Sequence, residues 1–139
     1  GNKILEIGTG SGYQACILHL LGAEVISIEY QKKLFDHTSR FLQRLGIQLQ
    51  LFYGDGTTGI PVHAPYDKII VTAGALIVPD ALIQQLKIGG ILVIPVGDRS
   101  KQAMVKITKK SATEIHREEF EDLPGGTPVH LRYFGFCRA

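Results

Sequence analysis

With 139 residues, 45% of them hydrophobic, the chain is long enough to bury a sizeable core and has the length of one domain. Fifteen Lys and Arg against 13 Asp and Glu leave a net charge of +2, which argues against nucleic acid or an anionic membrane as partner. The apolar runs Ile69 to Ala75 and Gly90 to Val96 fall far short of the about 18 to 20 residues that a membrane helix needs. Cys16 and Cys137 lie far apart and outside any metal-ligand spacing, so free thiols in a reducing, cytoplasmic compartment are expected, and no metal. A start at Gly1, with a strand beginning almost at once, reads as a fragment or trimmed domain.

In chain order, Lys3 to Ile7 is a β-rich run that stops at Gly8. Tyr13, Ile17, Leu20 and Leu21 then fall on one helical face, closed by Gly22. Glu24 to Glu29 is a second strand, apolar until its acidic end. Leu34, Thr38, Phe41, Leu42 and Leu45 mark a second helix ended by Gly46. Ile47 to Phe52 reads as a third strand, followed by the Gly54-Asp55-Gly56 loop and a fourth strand over Asp67 to Thr72. A short helix is expected over Pro79 to Leu86, stopped by Gly89-Gly90, then a fifth strand over Ile91 to Pro95. Gln102 to Thr108 and Thr113 to Phe120 read as an antiparallel pair turning near Lys109, Lys110 and Ser111. Alternating helices and apolar strands imply an α/β fold. Its mostly parallel sheet carries helices on both faces and an antiparallel C-terminal part, within one domain spanning 1–139.

The chemistry concentrates in Glu6-Ile-Gly-Thr-Gly-Ser-Gly12, which links the first strand to the first helix. In a doubly wound sheet, ligands bind beyond the carboxyl ends of the strands, and glycines let backbone approach a ligand closely. A dinucleotide site wants G-x-G-x-x-G, but here the third glycine comes one position early and Tyr13 takes its place. No Lys-Ser or Lys-Thr pair follows, which excludes a P-loop. Glu29 ends the second strand, where a carboxylate can accept bonds from ribose hydroxyls or act as a helix N-terminal charge. Asp55 follows the third strand and either meets an adenine edge or holds its own turn. Glu6 either fixes the loop or orients a cofactor ammonium group. The candidate cofactor-binding set on these grounds is Glu6, Gly8, Thr9, Gly10, Ser11, Gly12, Glu29 and Asp55.

Leu5-Glu-Ile-Gly-Thr-Gly-Ser-Gly-Tyr-Gln14 resembles the first motif of the protein-L-isoaspartate O-methyltransferases, which have a Rossmann-like class I methyltransferase fold. Gly54-Asp-Gly56, Gly59 and Ala64-Pro-Tyr-Asp67 are similar to that family's second block. Thr72-Ala-Gly-Ala75, Pro79, Leu82, Gln85-Leu-Lys87, Gly89-Gly90, Ile94-Pro-Val-Gly97 and Gln102 follow in the family's order. The resemblance covers roughly residues 2 to 108. It implies S-adenosyl-L-methionine as cofactor and methyl transfer to the carboxylate of isoaspartyl residues in damaged peptides and proteins. It also implies that Gly8, Gly10, Tyr13, Glu29, Asp55 and Gly56 bind the cofactor and that Thr72, Ala73, Gly74 and Ala75 line the reacting end, although plain small-residue packing explains the last four as well.

The chain departs from the family at Leu76 and Ile88, where proline is common, in its Leu123 to Ala139 tail, and in lacking the family's N-terminal segment. A carboxylate is already ionised at pH 7, so methylating it needs no acid–base dyad, and the five histidines show no ligand spacing. His63 reads as a solvated loop residue. Competing readings are a cofactor-binding fragment without catalysis, a class I methyltransferase with another substrate, and a nicotinamide dehydrogenase. The second is disfavoured for nucleic acid by the absence of an Asn/Asp-Pro-Pro-aromatic motif, the third by the glycine spacing. The sequence leaves the oligomeric state open.

Overall fold

The computed structural model describes residues 1–98 and 100–120; the divergent tail lies outside the described residues. Seven strands form one sheet: β1 (Lys3–Ile7), β2 (Glu24–Glu29), β3 (Gln50–Tyr53), β4 (Tyr66–Val71), β5 (Leu86–Gly97), β6 (Gln102–Lys109) and β7 (Ile115–Phe120). Their order is β3-β2-β1-β4-β5-β6-β7. The first five are parallel, while β6 and β7 continue the sheet antiparallel. This is the expected α/β class, with its antiparallel C-terminal part.

Between the strands lie α1 (Tyr13–Leu20), α2 (Lys32–Arg44) and α3 (Asp80–Gln84). Right-handed crossovers fix their sides. The chain steps from β1 to β2 to β3 in one direction, so α1 and α2 share a face. It steps from β4 to β5 in the other direction, so α3 lies on the opposite face.

Strand register explains the core. Ile26, Leu5, Ile69, Leu92 and Ile107 pair in one row across five strands, and all five are essentially buried. Ile28, Ile7, Val71 and Ile94 are buried on the same side, and Leu82 of α3 joins them. Tyr66 is buried there too, its hydroxyl donating to the Ile60 carbonyl at 2.6 Å. Gln85 closes the same loop, accepting from the Ile60 N–H at 3.1 Å and donating to the Thr58 carbonyl at 2.7 Å. On the other face, Ile70, Ile91 and Val93 stay partly exposed.

Several elements differ from the sequence expectation. The α1 stripe points outward: Tyr13, Leu20 and Leu21 are 73%, 75% and 79% exposed, whereas small Ala15 is the buried residue. In α2, Thr38 and Leu42 face inward, but Phe41 and Leu45 are exposed. The third strand starts at Gln50 because the Ile47 N–H is used to close α2 on the Leu42 carbonyl. The third helix stops at Gln84, and β5 begins at Leu86 and runs through Gly89-Gly90 instead of starting after them. The pairing with β4 shifts there, and a Cβ on Gly90 would lie 2.7 Å from the Lys87 carbonyl oxygen and 3.1 Å from that of Asp67. Glycine at 90 thus serves close strand approach rather than helix termination.

Tyr66→Phe removes the hydroxyl's bond to the Ile60 carbonyl, which also accepts the His63 N–H at 3.2 Å, while keeping the packed ring. A loss of about 1 to 2 kcal/mol in chemical denaturation is expected.

Candidate functional site

The carboxyl ends of β1, β2, β3 and β4 all lie at one edge of the sheet because these strands are parallel. The chain leaves β1 toward β2 on one side and returns to β4 on the other, so a crevice opens where the strand order reverses. The loop from Gly8 to Gly12 sits at that point.

The loop is held from three directions. The Gly8 and Thr9 N–H groups donate to the Ile28 carbonyl at 2.9 and 3.3 Å, and Gly12 N–H to the Thr9 carbonyl at 3.0 Å. Gly10 N–H donates to Glu29 Oε1 at 2.9 Å. From α2, the Thr38 hydroxyl donates to the Gly10 carbonyl at 2.6 Å. From the end of β4, the Thr72 hydroxyl donates to the Gly8 carbonyl at 2.8 Å and lies 3.2 Å from the Ile7 carbonyl.

The glycines divide by role. A Cβ on Gly12 would lie 2.8 Å from Thr38 Cγ2, and one on Gly56 would lie 2.3 Å from Ile7 Cγ2, so both are needed for packing. A Cβ on Gly10 would meet nothing within 4 Å. Gly10 therefore presents open backbone where a ligand can approach, and its φ of +58° is one that glycine adopts without strain.

Glu29 is fully buried. Its Oε1 holds the loop through Gly10 and its Oε2 accepts the Gln31 N–H at 2.8 Å, at the start of α2. One carboxylate thus ties loop to helix. Asp55 is exposed and caps the turn Gly56–Thr58, accepting from the Thr57 N–H at 2.9 Å and from the Thr57 hydroxyl. Gly56 is buried beneath it.

Glu6 and Thr9 point into the protein. Glu6 pairs with Ser27 across the parallel strands, and Ser27 Oγ donates to Glu6 Oε1 at 2.6 Å. Thr9 Oγ1 joins Ser27 Oγ at 2.7 Å. Glu6 Oε2 and Gln14 Nε2 are the buried side-chain polar atoms left without a partner among the described residues. Burial pushes the Glu6 carboxyl up to about 7; the Ser27 bond opposes this and the nearby Glu29 charge adds to it. Ser11 and Tyr13 are exposed at the mouth of the loop. Ala73, Gly74 and Ala75 are buried, with Ala75 bonded in both directions to the neighbouring strand: its N–H to the Pro95 carbonyl, its carbonyl to the Gly97 N–H. Leu76 and Ile77 beyond them are exposed.

Sequence reading missed Ser27 and Thr38. Ser27 was legible as the one hydroxyl in an otherwise apolar strand interior, on the strand after Glu6. Thr38 sat in an apolar stripe and was counted with it. No group of three or more His, Cys, Asp and Glu among the described residues is arranged to hold a metal.

The family described as protein-L-isoaspartate(D-aspartate) O-methyltransferase matches residues 1–123. The chain belongs to this family. It is 52% identical over 122 residues to the protein-L-isoaspartate O-methyltransferase of Cytophaga hutchinsonii, covering 88% of this chain and 55% of that protein. It is 54% identical over 123 residues to that of Flavobacterium psychrophilum, covering 88% and 57%. The chain therefore spans about half the length of these curated relatives. A solved protein-L-isoaspartate O-methyltransferase superposes with a TM-score of 0.84 at 32% identity, covering 97% of this chain and 42% of that one. A Plasmodium falciparum structure solved with S-adenosyl-L-homocysteine gives 0.69 at 24% identity, covering 88% and 63%, and at that identity speaks for the fold alone. Residues of the family's motifs thus acquire physical roles in this chain: Gly59 and Gln85 pack together, Tyr66 bonds the loop, and Thr72 bonds the glycine turn.

The Glu6 carboxyl yields a pH prediction. Its folded value of about 7 lies above the ordinary 4.5, so the folded chain holds this proton more tightly than the unfolded chain. Its contribution therefore turns unfavourable as pH rises from about 4.5 to about 7. Glu6→Gln is expected to raise stability by up to about 3 kcal/mol at alkaline pH and to do little below pH 4.5, as read by denaturant titration across pH.

Proposed function

We propose that this chain is the S-adenosylmethionine-binding core of an enzyme that methylates the carboxylate of L-isoaspartyl residues in damaged proteins. The observation that carries the reading is family membership over residues 1–123, joined to a glycine loop with open backbone at Gly10. The proposed cofactor set is Glu6, Gly8, Thr9, Gly10, Ser11, Gly12, Tyr13, Glu29, Asp55 and Gly56.

The residues fit that group. Gly10 gives it room. Each Glu29 oxygen accepts one N–H bond and keeps a lone pair suited to a ribose hydroxyl. Asp55, exposed at the next strand end, suits an adenine edge. Thr9 contributes from behind, since its hydroxyl is engaged with Ser27.

When bound, the cofactor supplies an electrophilic methyl on a sulfonium. The isoaspartyl carboxylate is already an anion at pH 7, so what the chain contributes is orientation rather than proton transfer. Thr72 to Ala75 form the reacting end in this reading. Their small side chains leave room for a substrate backbone, and the Thr72 hydroxyl ties the segment to the Gly8 carbonyl, holding the two halves of the site together. Partners are isoaspartyl-containing peptides and proteins rather than nucleic acid or membrane, in keeping with a net charge of +2. No helix among the described residues is long and apolar enough to cross a membrane. We place the chain in the cytoplasm, and Cys16 is a free thiol among the described residues.

A second reading, a core that binds cofactor without transferring methyl, is favoured by the chain's spanning only about half the length of its curated relatives. Transfer of labelled methyl to an isoaspartyl peptide, with the aspartyl peptide as control, separates the two. Selective labelling is expected for the repair activity; cofactor binding without labelling favours the second reading. Glu29→Ala is expected to weaken S-adenosylmethionine binding by about 1 to 3 kcal/mol in calorimetry. Unchanged affinity in a folded variant would remove the ribose assignment.

A further inference from the structure

Glu6 is a fully buried carboxyl with one oxygen bonded to Ser27 and the other bonded to nothing. Through Ser27 it reaches Thr9, a member of the glycine loop. The direction of this chain of bonds depends on charge. An ionised Glu6 can only accept, so Ser27 donates to it and Thr9 must donate to Ser27. A protonated Glu6 can donate to Ser27 itself, and the Thr9 hydroxyl is then released from that order.

The groups that face Glu6 offer it no counter-charge. Glu29 at the end of β2 is a like charge. Cys16 of α1 is a thiol held above its ordinary range by burial and by the charge of Glu6. The paired residue on β4 is Ile70. A cation arriving over the loop is therefore the event that favours the ionised carboxyl. S-adenosylmethionine carries a sulfonium and an ammonium against a single carboxylate, a net positive charge.

We propose that Glu6 is a positioning residue that gives up its proton to solvent as the cationic cofactor seats, and that the ionised carboxyl then fixes the glycine loop through Ser27 and Thr9. This rests on the S-adenosylmethionine reading above and deepens it by linking cofactor affinity to pH. The sign follows from burial, which holds the free carboxyl up to about 7. Below that, seating the cofactor must expel a proton, so affinity falls with falling pH by up to about tenfold per pH unit.

The test is calorimetry of S-adenosylmethionine binding to the 139-residue chain from about pH 5.5 to about pH 7.5; the cofactor's own α-amino group begins to titrate at the upper end and does so equally for wild type and variants. Buffers of different ionisation enthalpy count the protons released. Wild type is expected to bind more than about tenfold more weakly at the acid end and to release up to one proton. Glu6→Gln should flatten the profile and abolish the release, which separates Glu6 from the histidines that titrate in the same range. Ser27→Ala, which loses the bond favouring the ionised form, should move the midpoint to higher pH. A flat wild-type profile, or a Glu6→Gln profile matching wild type, overturns the proposal while leaving the cofactor reading intact. Should Glu6→Gln fail to fold, an unshifted Ser27→Ala midpoint overturns it instead. Absence of binding at every pH overturns the cofactor reading itself.

Discussion

Leu5 belongs to a row of buried side chains, Ile26, Leu5, Ile69, Leu92 and Ile107, that crosses five strands. That row holds β1 between β2 and β4, and the rest of the site depends on it. Once β1 is flanked on both sides by parallel strands, its carboxyl end becomes the place where the strand order reverses. The glycine loop, Glu29 and Thr72 arrive there together, although Gly8 and Thr72 are 64 residues apart.

Two faces of the same strand do different work. Leu5 and Ile7 feed the apolar core on the α3 side, while Glu6 points the other way into a small polar group with Ser27 and Thr9. Period-two alternation makes this possible without cost to the core. The cost falls instead on Glu6, whose desolvated carboxyl has an oxygen with no partner. A protein that needed only a tight turn would do as well with an apolar residue at this position.

The loop is more rigid than a flexible glycine segment suggests. Its carbonyl and N–H groups are engaged by β2, α2 and β4, and two glycines that read as ligand-contacting, Gly12 and Gly56, are also required by close packing. Only at Gly10 does the absence of a side chain open onto free space among these three. The outward turn of Tyr13, Leu20 and Leu21 on α1 follows from the same compaction: Ala15 and Gly12 let the helix lie close, so the large side chains are left on the far side.

The class of fold, the extent of β1 and β2, and the family were legible in the amino-acid order, because alternating apolar strands and glycine punctuation are local signals. That order also singled out Glu6, Glu29 and Asp55 as polar groups at strand ends. Which way each pointed was not local. Whether the α1 stripe met core or solvent, whether Gly89-Gly90 ended a helix or let β5 pass close to β4, and whether Thr38 was packing or a hydrogen-bond donor were settled by strand order and register. The same holds for Ser27, which lies 21 residues from Glu6 and meets it only because β1 and β2 pair in parallel with those two residues opposite. Periodicity identifies a face, but only the packed neighbours give that face a role.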